Sequence, residues 1–145
     1  MAGRQAVQLK IPSRWGYEKM AMKLAGIMAQ QLGFPPERVA DLGTAVSEAC
    51  LNAIEHGNRL ERDALVSLTF VAEPGRLCIE VSDEGRGGPP PVDFPEPDIK
   101  RKVAGEESLR QMGLHLIRSL ADEAGFVENQ SQVGSTFRIV FLLAR

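Results

Sequence analysis

The chain has 145 residues, enough for a single domain that buries about two-thirds of the surface its unfolded form exposes. Apolar and charged fractions of 43% and 25% are those of an ordinary globule, and a net charge of −2 offers no basic face for nucleic acid. No apolar run approaches the roughly 18 residues of a membrane span and no leader is visible; Cys50 and Cys78 form no CxxC or disulfide pattern, so a reduced, cytoplasmic setting without membrane contact is expected.

Val7, Leu9 and Ile11 alternate with Gln8 and Lys10, the pattern of a short strand that Pro12 ends. Ser13 is the natural N-cap of a helix over 14–31, in which Tyr17, Ala21, Leu24 and Met28 fall at helical spacing. Pro36 and Glu37 suit the first turn of a second helix, expected from Pro36 to His56. Its core stripe is Val39, Leu42, Val46, Ala49 and Ala53. Leu65–Ala72 and Arg76–Asp83 alternate as two strands joined by a turn at Glu73, Pro74 and Gly75. A proline-rich stretch from Glu84 to Ser108 reads as a lid or binding loop. Gly113 then opens a short amphipathic helix over 114–121, Phe126 and Val127 mark a brief strand, and 134–143 is a strongly apolar final strand. These elements predict an α+β fold, a two-layer sandwich of one largely antiparallel sheet with helices on one face.

Glu48, Asn52 and His56 recur at every fourth position, on one edge of the second helix beside its buried stripe. A carboxylate there is a candidate general base and the Asn52 amide oxygen suits a hard cation such as Mg²⁺. The same spacing also describes an ordinary solvated helix edge. His56 has no partner at metal-ligand spacing and equally fits a histidine favoured by the helix C-terminus. By strand parity Asp83 points with Leu77, Ile79 and Val81 toward the buried face, where an acid needs a partner.

The glycines of Asp83-Glu-Gly-Arg-Gly-Gly do not form a dinucleotide fingerprint, because three prolines follow instead of a helix, and no P-loop occurs anywhere. Gly85 and Gly87 instead suit a turn that lets backbone approach a flat ligand. Gly113, read as a helix start, would offer free amides to an anion. Of Ser135 and Thr136, parity turns Ser135 to the buried face with Phe137, Ile139 and Phe141.

In order and spacing, Glu48-x-x-x-Asn52, Asp83-x-Gly85-x-Gly87, Met112-Gly113-Leu114 and Gly134-Ser135-Thr136 resemble the four nucleotide boxes of the GHKL ATPases, the Bergerat fold. The fuller runs Val46–Gly57, Val81–Gly87 and 113–123 resemble the bacterial anti-sigma-factor serine/threonine kinases of the RsbW and SpoIIAB type. The resemblance covers the chain from about Val7 to Leu143 and implies one ATP-binding domain, 1–145, with an ATP lid over about 84–112. It implies that Asn52 holds Mg²⁺ against ATP and that Asp83 binds the adenine amino group with room left by Gly85 and Gly87. It further implies that Ser135 or Thr136 completes adenine recognition, that Arg110 and Gly113 serve the phosphates, and that Glu48 is the catalytic base. The implied activity is phosphorylation of a STAS-domain antagonist, with sequestration of a sigma factor or similar regulator by a homodimer. Gln111 departs from the pattern, standing where the family carries the first glycine of Gly-x-Gly. That departure keeps a second reading open: a nucleotide-dependent partner-switching module with weak or no kinase activity.

Overall fold

The computed structural model describes residues 3–86, 106–128 and 133–144. Gly87, the Lys100-Arg101-Lys102 run and most of the expected lid lie outside the described residues. Strand β1 (Gln5–Pro12) leads to helices α1 (Glu18–Gln31) and α2 (Pro36–Asn52), and the latter widens into a π-helical turn at Ala53–Gly57. Strands β2 (Leu65–Glu73) and β3 (Arg76–Ser82), helix α3 (Glu106–Leu120) and strands β4 (Glu123–Val127) and β5 (Thr136–Leu142) follow. The sheet order is β1-β2-β3-β5-β4 and every neighbouring pair is antiparallel, as alternation and the hairpin at Pro74-Gly75 require. Among the described residues no helix is long and apolar enough to cross a membrane.

Period-two patterning decides which face is covered. Val66, Leu68 and Phe70 of β2, Leu77, Ile79 and Val81 of β3, and Phe137, Ile139 and Phe141 of β5 all point beneath the helices and are buried. The opposite face carries Thr69, Glu80 and Arg138, with Glu80 and Arg138 paired across strands at 2.8 Å. The helical layer is close-packed because its contact rows are small. Ala21, Ala25 and Ala29 recur at four-residue intervals on α1, while α2 offers Leu42, Ala45, Val46 and Ala49.

Two helices begin elsewhere than expected. Helix α1 starts at Glu18, not Arg14, and Ser13 does not cap it. Ser13 is buried, its N–H donates to the Ala64 carbonyl (3.1 Å), and its hydroxyl accepts from the Asn58 amide (3.2 Å). A tertiary partner has taken the oxygen that a cap needs, and Gly16 at φ +102° breaks the helical path. Helix α3 starts at Glu106, so Gly113 is interior to it rather than at its start. Glutamine at position 111 favours this, since glycine there would weaken the helix by about 0.8–1 kcal/mol relative to alanine.

A polar joint ties the start of α2 to the far edge of the sheet. Arg38 donates to Asp122 (2.7 Å) and to the Leu120 carbonyl (3.1 Å), with its guanidinium 4.6 Å from the Phe141 ring centroid. Asp122 also accepts the Leu142 N–H at 2.8 Å. The ion pair is largely shielded from solvent, so removing the cation strands a carboxylate. Arg38→Ala is expected to destabilise the fold by about 2–4 kcal/mol, read as a lower urea midpoint at unchanged m-value.

Candidate functional site

The end of α2 builds one wall of a cavity. In the π-helical turn the Asn58 N–H reaches back to the Ala53 carbonyl (2.8 Å), a widening often found at functional sites. Glu55 and His56 of this turn join Glu48, Leu51 and Asn52 around a cavity of about 230 Å³, closed opposite by Arg110 and Gly113 of α3. Arg110 Nε donates to Asn52 Oδ1 at 2.9 Å. The two helices come this close because residue 113 has no side chain: a Cβ there would stand 3.1 Å from Glu48 Oε1. Gly113 therefore acts by the space it leaves. The reading of it as a helix start with free amides is corrected, since its backbone lies inside α3.

Burial raises the Glu48 pKa above its ordinary 4.5, and the neighbouring charge of Glu55 raises it further. A carboxylate so placed is a better proton acceptor than one in open water.

The second half of the site gathers around Asp83. Asp83 Oδ1 accepts the N–H of Gly85 (2.7 Å) and of Ser135 (3.2 Å), and Oδ2 accepts the Ser135 hydroxyl at 2.7 Å. The Asp83 N–H in turn donates to the Ser135 carbonyl, joining the exit of β3 to the approach to β5. A carboxylate offers about four lone-pair directions, and three of them are met by these protein donors. Oδ2 lies in the space a Cβ on Gly57 would fill. Gly85 and Gly134, both at positive φ, lean together so that a Cβ on Gly85 would be 2.5 Å from Gly134 N. Thr136 is not part of this group: its hydroxyl is 2.7 Å from that of Ser82, on the opposite face of the sheet.

Asn58 lies just past the expected end of the second helix and has no role in the sequence pattern. Asn58 is fully buried and donates to Ser13 Oγ (3.2 Å) and the Leu65 carbonyl (3.0 Å), while its Oδ1 accepts the Glu84 N–H at 2.7 Å. One amide thus fixes the ends of β1 and β2 and the loop that carries Asp83 and Gly85. No local signal marks it, because the partners of Asn58 are remote in sequence. A larger cavity, about 510 Å³, lies at the other end of the sheet beside Met28, Leu32 and Pro74. Its one acid, Glu73, is paired with Arg76, so the chemistry concentrates at the smaller cavity.

The raised Glu48 pKa fixes a stability prediction. A carboxyl whose folded pKa exceeds its unfolded one is neutral to stability below both values and destabilising once ionised above both. Glu48→Gln should therefore unfold at a higher urea concentration than the parent at pH 7.5, and the difference should close as pH falls through the raised pKa toward 4.5.

The family model described as the histidine kinase-like ATPase domain matches residues 12–141 of the chain. The serine-protein kinase RsbW of Bacillus subtilis is 29% identical over 133 residues, 88% of this chain and 80% of that protein. RsbW of Bacillus velezensis is 30% identical over 136 residues, 90% of this chain and 81% of that protein. The anti-sigma F factor of Geobacillus stearothermophilus is 29% identical over 133 residues, covering 92% and 89%. Among solved structures, the RsbU and RsbW domains of a Mycobacterium tuberculosis protein match 97% of the chain with a TM-score of 0.62 at 18% identity; the chain spans 33% of that structure, and the likeness concerns the fold. With the α+β sandwich and antiparallel sheet in place, the match over most of the chain is decisive: the chain belongs to the GHKL, histidine kinase-like ATPase family.

Proposed function

We propose that the chain is an ATP-dependent protein serine/threonine kinase of the anti-sigma-factor type, one domain acting as a cytoplasmic homodimer. Its acceptor is a STAS-domain antagonist, and its second partner is a sigma factor or similar regulator that it sequesters. The observation that carries this reading is the company Glu48 keeps. A half-buried carboxylate of raised basicity shares one cavity with Asn52 and Arg110, and Asp83 is seated against Gly57 by Gly85 and Ser135.

The donor set fits ATP and Mg²⁺. Asn52 Oδ1 accepts one hydrogen bond from Arg110, and an amide oxygen has a second lone pair suited to a hard cation. Asp83 and Ser135 would hold the adenine edge, Asn52 would hold Mg²⁺, and Arg110 would face the phosphates. When bound, the ion screens phosphate charge and the nucleotide supplies the phosphoryl group. Glu48 takes the proton of the acceptor hydroxyl onto a carboxylate oxygen as that hydroxyl oxygen bonds to phosphorus and ADP departs. Positioning and charge stabilisation of this kind are the main requirements of phosphoryl transfer.

The second reading, a nucleotide-dependent partner switch, is favoured by one feature. Helix α3 runs continuously through Gln111, where the resemblance places the first glycine of a hinge. Transfer of labelled phosphate from Mg·ATP to a purified STAS-domain antagonist separates the two. Glu48→Ala is expected to lower transfer by about 10²–10⁴-fold with Mg·ATP affinity retained. A protein that binds nucleotide but labels no acceptor is a switch.

Asp83→Asn should weaken nucleotide binding by roughly ten- to hundredfold under either reading, because it replaces a carboxylate oxygen and turns an amide NH₂ toward existing donors. Unchanged affinity by calorimetry would remove Asp83 from the adenine role. Light scattering at twice the chain mass is expected for the homodimer.

A further inference from the structure

Trp15 is the single tryptophan of the chain, and 64% of it is exposed. Tryptophan is usually well covered, so an exposed indole with no freedom to collapse calls for a cause. This one is held from two sides. Its backbone lies in a tight turn in which the Arg14 N–H donates to the Pro12 carbonyl (2.8 Å) and the Tyr17 N–H to the Arg14 carbonyl (3.3 Å). Gly16 takes φ +102° and its N–H is bound by the carboxylate of Glu18, itself buried, at 2.6 Å. From the ring side, Nε1 donates to Glu55 Oε2 at 2.7 Å, across forty positions of sequence. Glu55 lines the same cavity as Glu48, Asn52 and Arg110. Through Glu55 the indole is thus tied to one wall of that cavity, at its exposed side.

We infer that Trp15, held by Glu55, is the docking residue for the segment of the phosphoacceptor protein that carries the reactive hydroxyl. The contact is an apolar side chain of that segment against the indole face. This rests on the kinase reading for its choice of occupant. The base must meet a hydroxyl that arrives from solvent, and the ring fixed to Glu55, on the wall of the same cavity, meets the segment that carries it. An aromatic whose backbone and N–H are already ordered loses little entropy on binding, which is how tryptophan anchors act at interfaces. Arg14 and Lys19, both exposed near it along the chain, favour an acceptor segment with acidic residues outside the apolar one. Adenine recognition is centred on Asp83 and Ser135, so Trp15 discriminates between acceptors and leaves nucleotide affinity alone.

Because Trp15 is the only tryptophan, its fluorescence reads this contact directly. The probe is a STAS-domain antagonist that accepts phosphate in the transfer assay, with any tryptophan replaced by phenylalanine, titrated into the full chain with and without Mg·ATP. The expected result is a blue shift of the emission on adding the STAS protein and none with Mg·ATP alone. In the transfer assay Trp15→Ala should raise the acceptor KM by roughly ten- to thirtyfold, with Mg·ATP affinity within about twofold. Trp15→Phe, which keeps a ring but loses the Glu55 bond, should fall between. Three outcomes overturn the inference: no spectral shift at acceptor concentrations that saturate transfer, an unchanged KM in a folded Trp15→Ala, or an equal loss of Mg·ATP affinity. A shift produced by the sequestered regulator and not by the STAS protein also overturns it. If wild type transfers phosphate to no STAS-domain antagonist yet one of them shifts the emission, the kinase reading fails while the docking site stands.

Discussion

The arrangement hangs on the seating of one carboxylate. Asp83 leaves β3 toward the buried side, where an unpaired acid would be costly, and finds its place because Gly57 has no side chain and Ser135 and Gly85 supply donors. That contact joins the last turn of α2, the exit of β3 and the approach to β5 at a single point. Asn58 makes it rigid by holding the Glu84 backbone next to Asp83 while anchoring Ser13 and Leu65. The same helix then carries Asn52 and Glu48 away from the joint, rising about 13 Å from residue 57 to residue 48. The Asp83 joint at one end and the Glu48 cavity at the other are thus positioned by one helix.

Energetic tension is concentrated at the other end of that helix. Glu48 is withdrawn from water and faces a second acid, Glu55, which lowers the preference for the ionised form. Nothing in the core gains from this arrangement. It is the pattern expected where a raised proton affinity matters more than stability. Glu55 in turn accepts the Trp15 indole N–H, so this second acid is held from outside the helix.

Much of the scaffold was legible because it follows local periodicity. Alternation in 65–72 and 76–83 identified two strands and their buried faces, and the same parity turned Ser135 toward Asp83 and left Thr136 with Ser82. The misreadings share one cause: a residue suited to a local role was engaged by a distant partner. Ser13 has the chemistry of a cap, yet Asn58 claims its hydroxyl. Gly113 reads as a boundary, but within α3 it clears space for Glu48. Trp15 carries no periodic signal at all, because its meaning comes from Glu55.

By itself, then, the sequence determined the α+β class, the strand faces, the helix that carries Glu48 and Asn52, and the order of boxes that marks the family, all of which depend on spacing along the chain. Only the tertiary structure decided that Gly57 seats Asp83, that Asn58 ties three segments together, that Gly113 lies within a helix and that an exposed indole is bound to Glu55. Those facts depend on atoms that meet across tens of residues, and the register between separate elements is settled by packing, which no local pattern encodes.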